Sequence, residues 1–212
     1  MRANTQVSKP EPRPELRREP RQIRSQRRVE KILDAAAQIF AESGFEAATT
    51  NAIAERAEVS IGSVYQFFPN KAALLIQLNL RCLSDLRVTL KDVFVPELEQ
   101  LPRQAMIEVV IDTLGEFQQR NCSVLRVLNT AHVPELISSA DTVAAEACKH
   151  VERLLEVTYP NLEPERRATI AAVCFTATDA LFYLATVGDT DAQNRVLNEI
   201  KILLKAYIGT LE

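Results

Sequence analysis

Apolar residues along this chain recur at the spacing of a helix face. Val29, Ile32, Leu33, Ala36, Ala37 and Phe40 follow an i, i+3, i+4, i+7 pattern and predict a helix over 25–43. Gly44 is placed to end it as a left-handed cap, and Phe45 to fold back onto the core. A second stripe, Leu74, Leu75, Leu78, Cys82, Leu86, Leu90 and Val93, predicts a helix over 71–94. Val95-Pro96 to Leu101-Pro102 interrupts the pattern. Met106, Val109, Val110, Thr113, Leu114 and Phe117 then predict a helix over 103–120, followed by a short one over 124–129. Pro134 interrupts again, and Val143, Ala147, Val151, Leu154 and Leu155 mark a helix over 138–158. Residues 163–187 are apolar nearly all round, so a helix there must be covered on most sides. Gly188-Asp189-Thr190-Asp191 breaks it, and Val196, Ile200, Leu203, Leu204, Tyr207 and Leu211 define a last helix over 191–211. No run alternates as a strand does, so the predicted fold class is all-α.

Between the first two long stripes lie two short elements, in TTNAIAERAEVSIGSVYQFFPNK over 49–71. Thr49 or Thr50 can cap a helix through Ile53, Ala54 and Ala57. Glu58-Val59-Ser60 breaks it, Ser60 can cap a second helix over 61–68, and Pro69-Asn70 stops that one. Two short helices on a tight turn are a helix-turn-helix. Val64 and Phe68 hold one face of the second helix down. The other face is expected to show Ile61, Gly62, Ser63, Tyr65, Gln66 and Phe67, side chains suited to a groove lined with phosphates and base edges.

Charge sharpens this picture. The chain of 212 residues has a net charge of −3. Residues 1–28 nevertheless carry nine Lys or Arg against three Asp or Glu, while residues 81–212 carry thirteen against nineteen. A basic end on an acidic body suggests polyanion binding at one end and a separate function in the rest. Residues 1–22, with Pro10, Pro12, Pro14 and Pro20 among charges, read as a disordered arm. That arm is either a solvated tail or a basic strap on DNA, and for Arg17 to Arg28, Arg27 included, the DNA reading leads.

The chemistry of an enzyme is missing. There is no Gly-rich phosphate loop, no paired metal ligands and no Gly-x-Ser-x-Gly, and the two histidines, His132 and His150, stand apart. Cys82, Cys122, Cys148 and Cys174 are widely spaced, which suits neither zinc nor a disulfide framework. No catalytic residue, metal or cofactor is therefore expected. No apolar run is expected to reach the ~18 residues of a membrane span, so the expected place is the cytoplasm.

The head resembles the TetR family of bacterial transcriptional repressors. The resemblance covers about residues 27–78. It rests on Ala-Glu-Ser-Gly-Phe at 41–45, Thr49-Thr50 before Ile53-Ala54, Val59-Ser60-Ile61-Gly62-Ser63-Val64-Tyr65, Phe67-Phe68-Pro69-Asn70-Lys71 and Leu74-Leu75, in that order and spacing. Residues 79–212 match only in helical character and length. The resemblance implies a DNA-binding head over 23–70 and a helical ligand-binding and dimerisation domain over 71–212. Thr50, Tyr65 and Lys71 would hold phosphates, and Ser63, with Ile61, Gly62 and Gln66, would face base edges. Tyr65 has the alternative of a half-buried packing ring, and Gln66 that of a solvent-facing amide. Phe67 departs from the family's frequent histidine, and either touches a thymine methyl or sugar or shields the core.

The resemblance also implies a homodimer on an imperfect palindrome, released by a small molecule, with the Lys71 helix as lever. Pairing through the last two helices would cover their apolar surface. Tentative cavity residues are Phe117, Phe175, Asp179 and Tyr183. Asp179 has the alternative of a structural pair with Arg126 or Lys149, and the aromatics that of plain core or interface. The competing function is a regulator of the same fold with no small-molecule ligand, controlled by a protein partner or by thiol oxidation. An enclosed cavity would favour the ligand, and a solid core the competitor.

Overall fold

A computed structural model of the chain describes residues 23–133, 136–186 and 189–211, with the backbone alone at 23 and over 137–141. The expected arm over 1–22 and the Pro134 and Gly188 breaks lie outside the described residues. The described helices are α1 (Ile23–Ala47), α2 (Thr50–Arg56), α3 (Ile61–Phe67), α4 (Lys71–Val93), α5 (Arg103–Thr130), α6 (Ile137–Thr158), α7 (Pro164–Ala185) and α8 (Thr190–Gly209). A single 3-10 turn, Leu98–Gln100, follows α4 and buries Leu98. Among the described residues there is no strand.

The start and stop signals act as the side chains require. Gly44 takes φ +77°, a region open mainly to glycine, and kinks the last turn of α1. Phe45 then packs back against Phe40, with ring centroids 5.5 Å apart and the rings tilted. Thr49 caps α2 by accepting from the Ala52 amide at 3.2 Å, Ser60 caps α3 from Ser63 at 3.1 Å, and Asn70 caps α4 from Ala73 at 2.9 Å.

Two expectations fail. The helices over 103–120 and 124–129 are one continuous α5. Asn121, expected in the gap, instead turns its side-chain amide onto the Phe117 carbonyl of its own helix at 2.9 Å, so the polar run Asn121-Cys122-Ser123 does not break it. The second failure is α7, which by length and composition is long and apolar enough to cross a membrane. Here it packs between α6 and α8, burying Ile170, Ala171 and Cys174.

Helices α1 to α4 share a core of Ile32, Phe40, Ile53, Val64, Phe68 and Leu74. Val127 near the end of α5 and Val133 just beyond it complete the core. The far end of α5 packs with α6, α7 and α8 around Ile111, Leu155, Ala171 and Ile200. One helix thus joins both cores.

Candidate functional site

The outer face of the first core is built by its caps and ion pairs. Arg56 of α2 holds Glu42 of α1 through two hydrogen bonds of 2.8 Å, and Lys31 reaches Glu58 at 2.6 Å. Arg81 of α4 holds Asp34 of α1 at 2.7 Å. These pairs are exposed, so each contributes little, and they tie α1 to α2, to the turn after it and to α4.

On that frame Thr50 and Tyr65 meet. Their hydroxyl oxygens lie 3.0 Å apart, and Tyr65 is 43% exposed. Thr49 does the capping, which leaves the Thr50 hydroxyl free for Tyr65. Ser63 is half-buried, with its hydroxyl 3.0 Å from that of Ser60. Ile61, Gly62 and Gln66 are exposed on α3, and Arg24, Arg27 and Arg28 on the first turns of α1.

Phe67 is not on this face. It is 2% exposed and sits in the core with Phe68. A helix of seven residues packed on α2 in the core shared by α1 to α4 is covered over a wider arc than Val64 and Phe68 alone span. The part of the expectation that had Phe67 shield the core is the one realised.

Lys71 is also placed otherwise than expected. Its ammonium donates to the carbonyls of Phe45 at 2.8 Å and Glu46 at 2.7 Å, and lies 4.7 Å from the centre of the Phe45 ring. It caps the C-terminus of α1, where carbonyls lack partners and the helix dipole is negative. A phosphate would have to compete with those carbonyls.

The second half of the site is a cavity of about 670 Å³ between α4, α5, α6, α7 and α8. Phe117, Phe175, Asp179 and Tyr183 all line it, beside Leu86 and Leu90 of α4. Its size lies in the range of small-molecule sites. Asp179 keeps open surface, and desolvation by the packing around it raises its carboxyl above the usual carboxylate range. It does not pair with Arg126, which donates to the Thr186 carbonyl at the end of α7 at 2.7 Å. At the other end of the cavity Arg103 donates to the Tyr159 hydroxyl at 2.6 Å, and Tyr159 donates to the Ile208 carbonyl at 3.1 Å.

Gln118 was missing from the expected cavity set. The signal for it was a polar residue on an apolar stripe, four positions after Leu114. Cys174 lines the same wall, and burial pushes its thiol, like that of Cys82, up to about 11. Such thiols are poor redox triggers. Among the described residues no group of His, Cys, Asp and Glu is arranged to hold a metal ion.

Comparison with known proteins bears on both halves. The model for bacterial regulatory proteins of the tetR family matches residues 32–78, and that for the tetracyclin repressor-like C-terminal domain matches residues 102–208. The HTH-type transcriptional repressor KstR of Mycobacterium tuberculosis is 31% identical over 129 residues, covering 61% of this chain and 55% of that protein. The chain thus spans about half the length of the curated relatives it matches. A TetR-family transcriptional regulator from Streptomyces coelicolor is 28% identical, with a TM-score of 0.55, over 87% of this chain and 99% of its own. The SmeT–triclosan complex, 19% identical with a TM-score of 0.63 over 85% of this chain and 91% of its own, shares the fold. KstR and the Streptomyces coelicolor protein are named as transcriptional regulators. With both its head and its body matched, the chain belongs to the TetR family of DNA-binding transcriptional regulators.

Proposed function

We propose that the chain is a ligand-responsive repressor that binds an imperfect palindrome as a homodimer and leaves it when a small molecule fills the cavity. The observation that carries this is the position of α4. Its first residue, Lys71, is hydrogen-bonded to the end of α1, and Leu83, Leu86, Leu90 and Phe94 further along line the 670 Å³ cavity. A ligand that prefers a cavity with α4 displaced therefore moves the head. Residues 23–70 read DNA and residues 71–212 bind effector and partner. Thr50 and Tyr65 hold a phosphate. Ile61, Gly62, Ser63 and Gln66 approach base edges, and Arg27 the backbone. The KstR relatives are repressors by name, and SmeT holds triclosan, which supports the direction and the kind of control. The work is that of a cytoplasmic protein without catalytic groups.

Genomic fragments retained by the full chain at low salt give the operator, and fluorescence anisotropy on that operator tests the rest. Wild-type protein binds with a steep salt dependence, and apolar compounds that bind the cavity raise the apparent Kd. Failure to retain any fragment, or compounds that bind without altering Kd, would overturn the proposal. Tyr65→Phe, which removes one hydroxyl, weakens operator binding about 3- to 30-fold.

A further inference from the structure

The cavity opens on the outward face of α7. Asp179, Ala180 and Tyr183 line it, and all three are exposed. With Thr176 and Leu184, also exposed, they form one stripe along the outside of the helix. Asp179 is the one charged residue among them. Its surroundings desolvate the carboxyl, and no cation of the same chain offsets that.

α8 carries the complement. Arg195 and Ile202 lie two turns apart and are exposed, on the side of α8 away from the buried Leu197, Ile200 and Leu204. Among the described residues neither Arg195 nor Asp179 has an ion-pair partner. The two also share a level. α7 and α8 pack on each other with four residues between them, so they run antiparallel. Asp179 lies six residues before the end of α7 at Ala185, and Arg195 five after the start of α8 at Thr190. Those steps are about 9 Å and about 8 Å of helix. Two heads that reach one duplex need a two-fold axis running from the DNA through the body, and rotation about it leaves each residue at its level. In a four-helix interface α7 lies beside α8 of the second copy.

We propose that in the homodimer Asp179 is held by Arg195 of the partner subunit at the mouth of the cavity, so that each effector site is closed only by the second copy. The assignment rests on the homodimer of the proposed function and adds its register. The apolar stripes supply the area, and the pair opposes the cost of burying a carboxylate there. A molecule in the cavity then touches a wall that the partner completes. Filling the cavity therefore acts on the angle between subunits as well as on α4.

The test is sedimentation equilibrium on the full chain with reversed charges. Asp179→Arg alone sets arginine against arginine across the interface, and Arg195→Asp alone sets aspartate against aspartate. Each weakens the dimer about a hundred-fold or more. An equimolar mixture of the two variants recovers a dimer within about three-fold of the native one. In the mixed dimer the introduced arginine of one chain meets the introduced aspartate of the other, and the second contact is native. Both positions are exposed in the single chain, so its core is left intact. A chain carrying both reversals gives a second reading, because its own dimer restores both contacts. A mixture and a double variant that dimerise no better than the single variants overturn the assignment. If the single variants dimerise like the native chain, the homodimer stands and only the pair fails. If the native chain is itself a monomer, the homodimer reading fails and this assignment with it.

Discussion

The Lys71 ammonium has three N–H bonds, and the carbonyls of Phe45 and Glu46 take two of them at normal distance. Truncation should therefore act on the fold of the head. Lys71→Met is expected to destabilise the chain by about 1–2 kcal/mol in chemical denaturation, from lost carbonyl bonds and the contact with the Phe45 ring. The salt slope of operator binding should stay unchanged, whereas a lysine on a phosphate would lower it by about one. Gly62 makes the opposite case. A Cβ there would meet only Ser60 Oγ at 3.9 Å, so nothing in the fold requires glycine. Gly62→Ala should raise stability by up to about 1 kcal/mol. If DNA approaches the α3 backbone closely, the same variant loses operator affinity several-fold. A gain in stability with unchanged affinity would place Gly62 away from the DNA.

Between elements, α5 and α8 are joined by a charged ladder beside a close contact. Glu108 pairs with both Lys201 and Lys205, and Lys201 also holds Asp112 at 2.6 Å. At Gly115 the helices come so near that an added Cβ would lie 2.7 Å from Leu197 Cδ1. Hydrogen bonds from Lys201 and then Lys205 pull the Glu108 carboxyl down to about 2. Its folded pKa lies below its unfolded one, so the unfolded chain takes up the proton first as pH falls. The ladder's contribution is whole above the ordinary carboxylate range and is lost as pH falls from about 4.5 toward 2. Because Glu108 is solvent-accessible, the effect should shrink in high salt. Thermal midpoints of Glu108→Gln and the native chain should differ at pH 7 and converge near pH 2. A constant difference across that range would mean that the ladder does not titrate through Glu108.

At the scale of the whole molecule, apolar surface remains uncovered on the last two helices. Leu184 on α7 and Ile202 on α8 are each 52% exposed, and Val173 on α7 and Leu203 on α8 are exposed too. A second copy would bury this surface in a four-helix interface and set two α3 helices at the spacing of two half-sites. Leu184→Glu with Ile202→Glu should give a monomer in sedimentation equilibrium. Operator affinity should then fall by about a hundred-fold or more, because each head binds alone. A dimer that persists in this double variant would put the interface elsewhere.

Helix capping and helix periodicity depend on residues within about four positions of each other. For that reason Thr49, Ser60, Gly44 and the apolar stripes were readable in the chain alone, and with them the all-α class and the helix-turn-helix. The neighbours of a side chain are decided by helices far away in sequence. Phe67 is buried because α3 packs on α2 into the core that α1 to α4 share, and Lys71 caps α1 because the chain returns there after α3. The gap expected near residue 121 disappears because α5 packs along its length against both cores, which favours an unbroken helix. A cavity is a property of five helices that meet incompletely. The aromatics and Asp179 that line it could be singled out as odd residues on apolar stripes. Gln118 could be placed only once α7 came close enough for the Phe182 carbonyl to take its side-chain nitrogen.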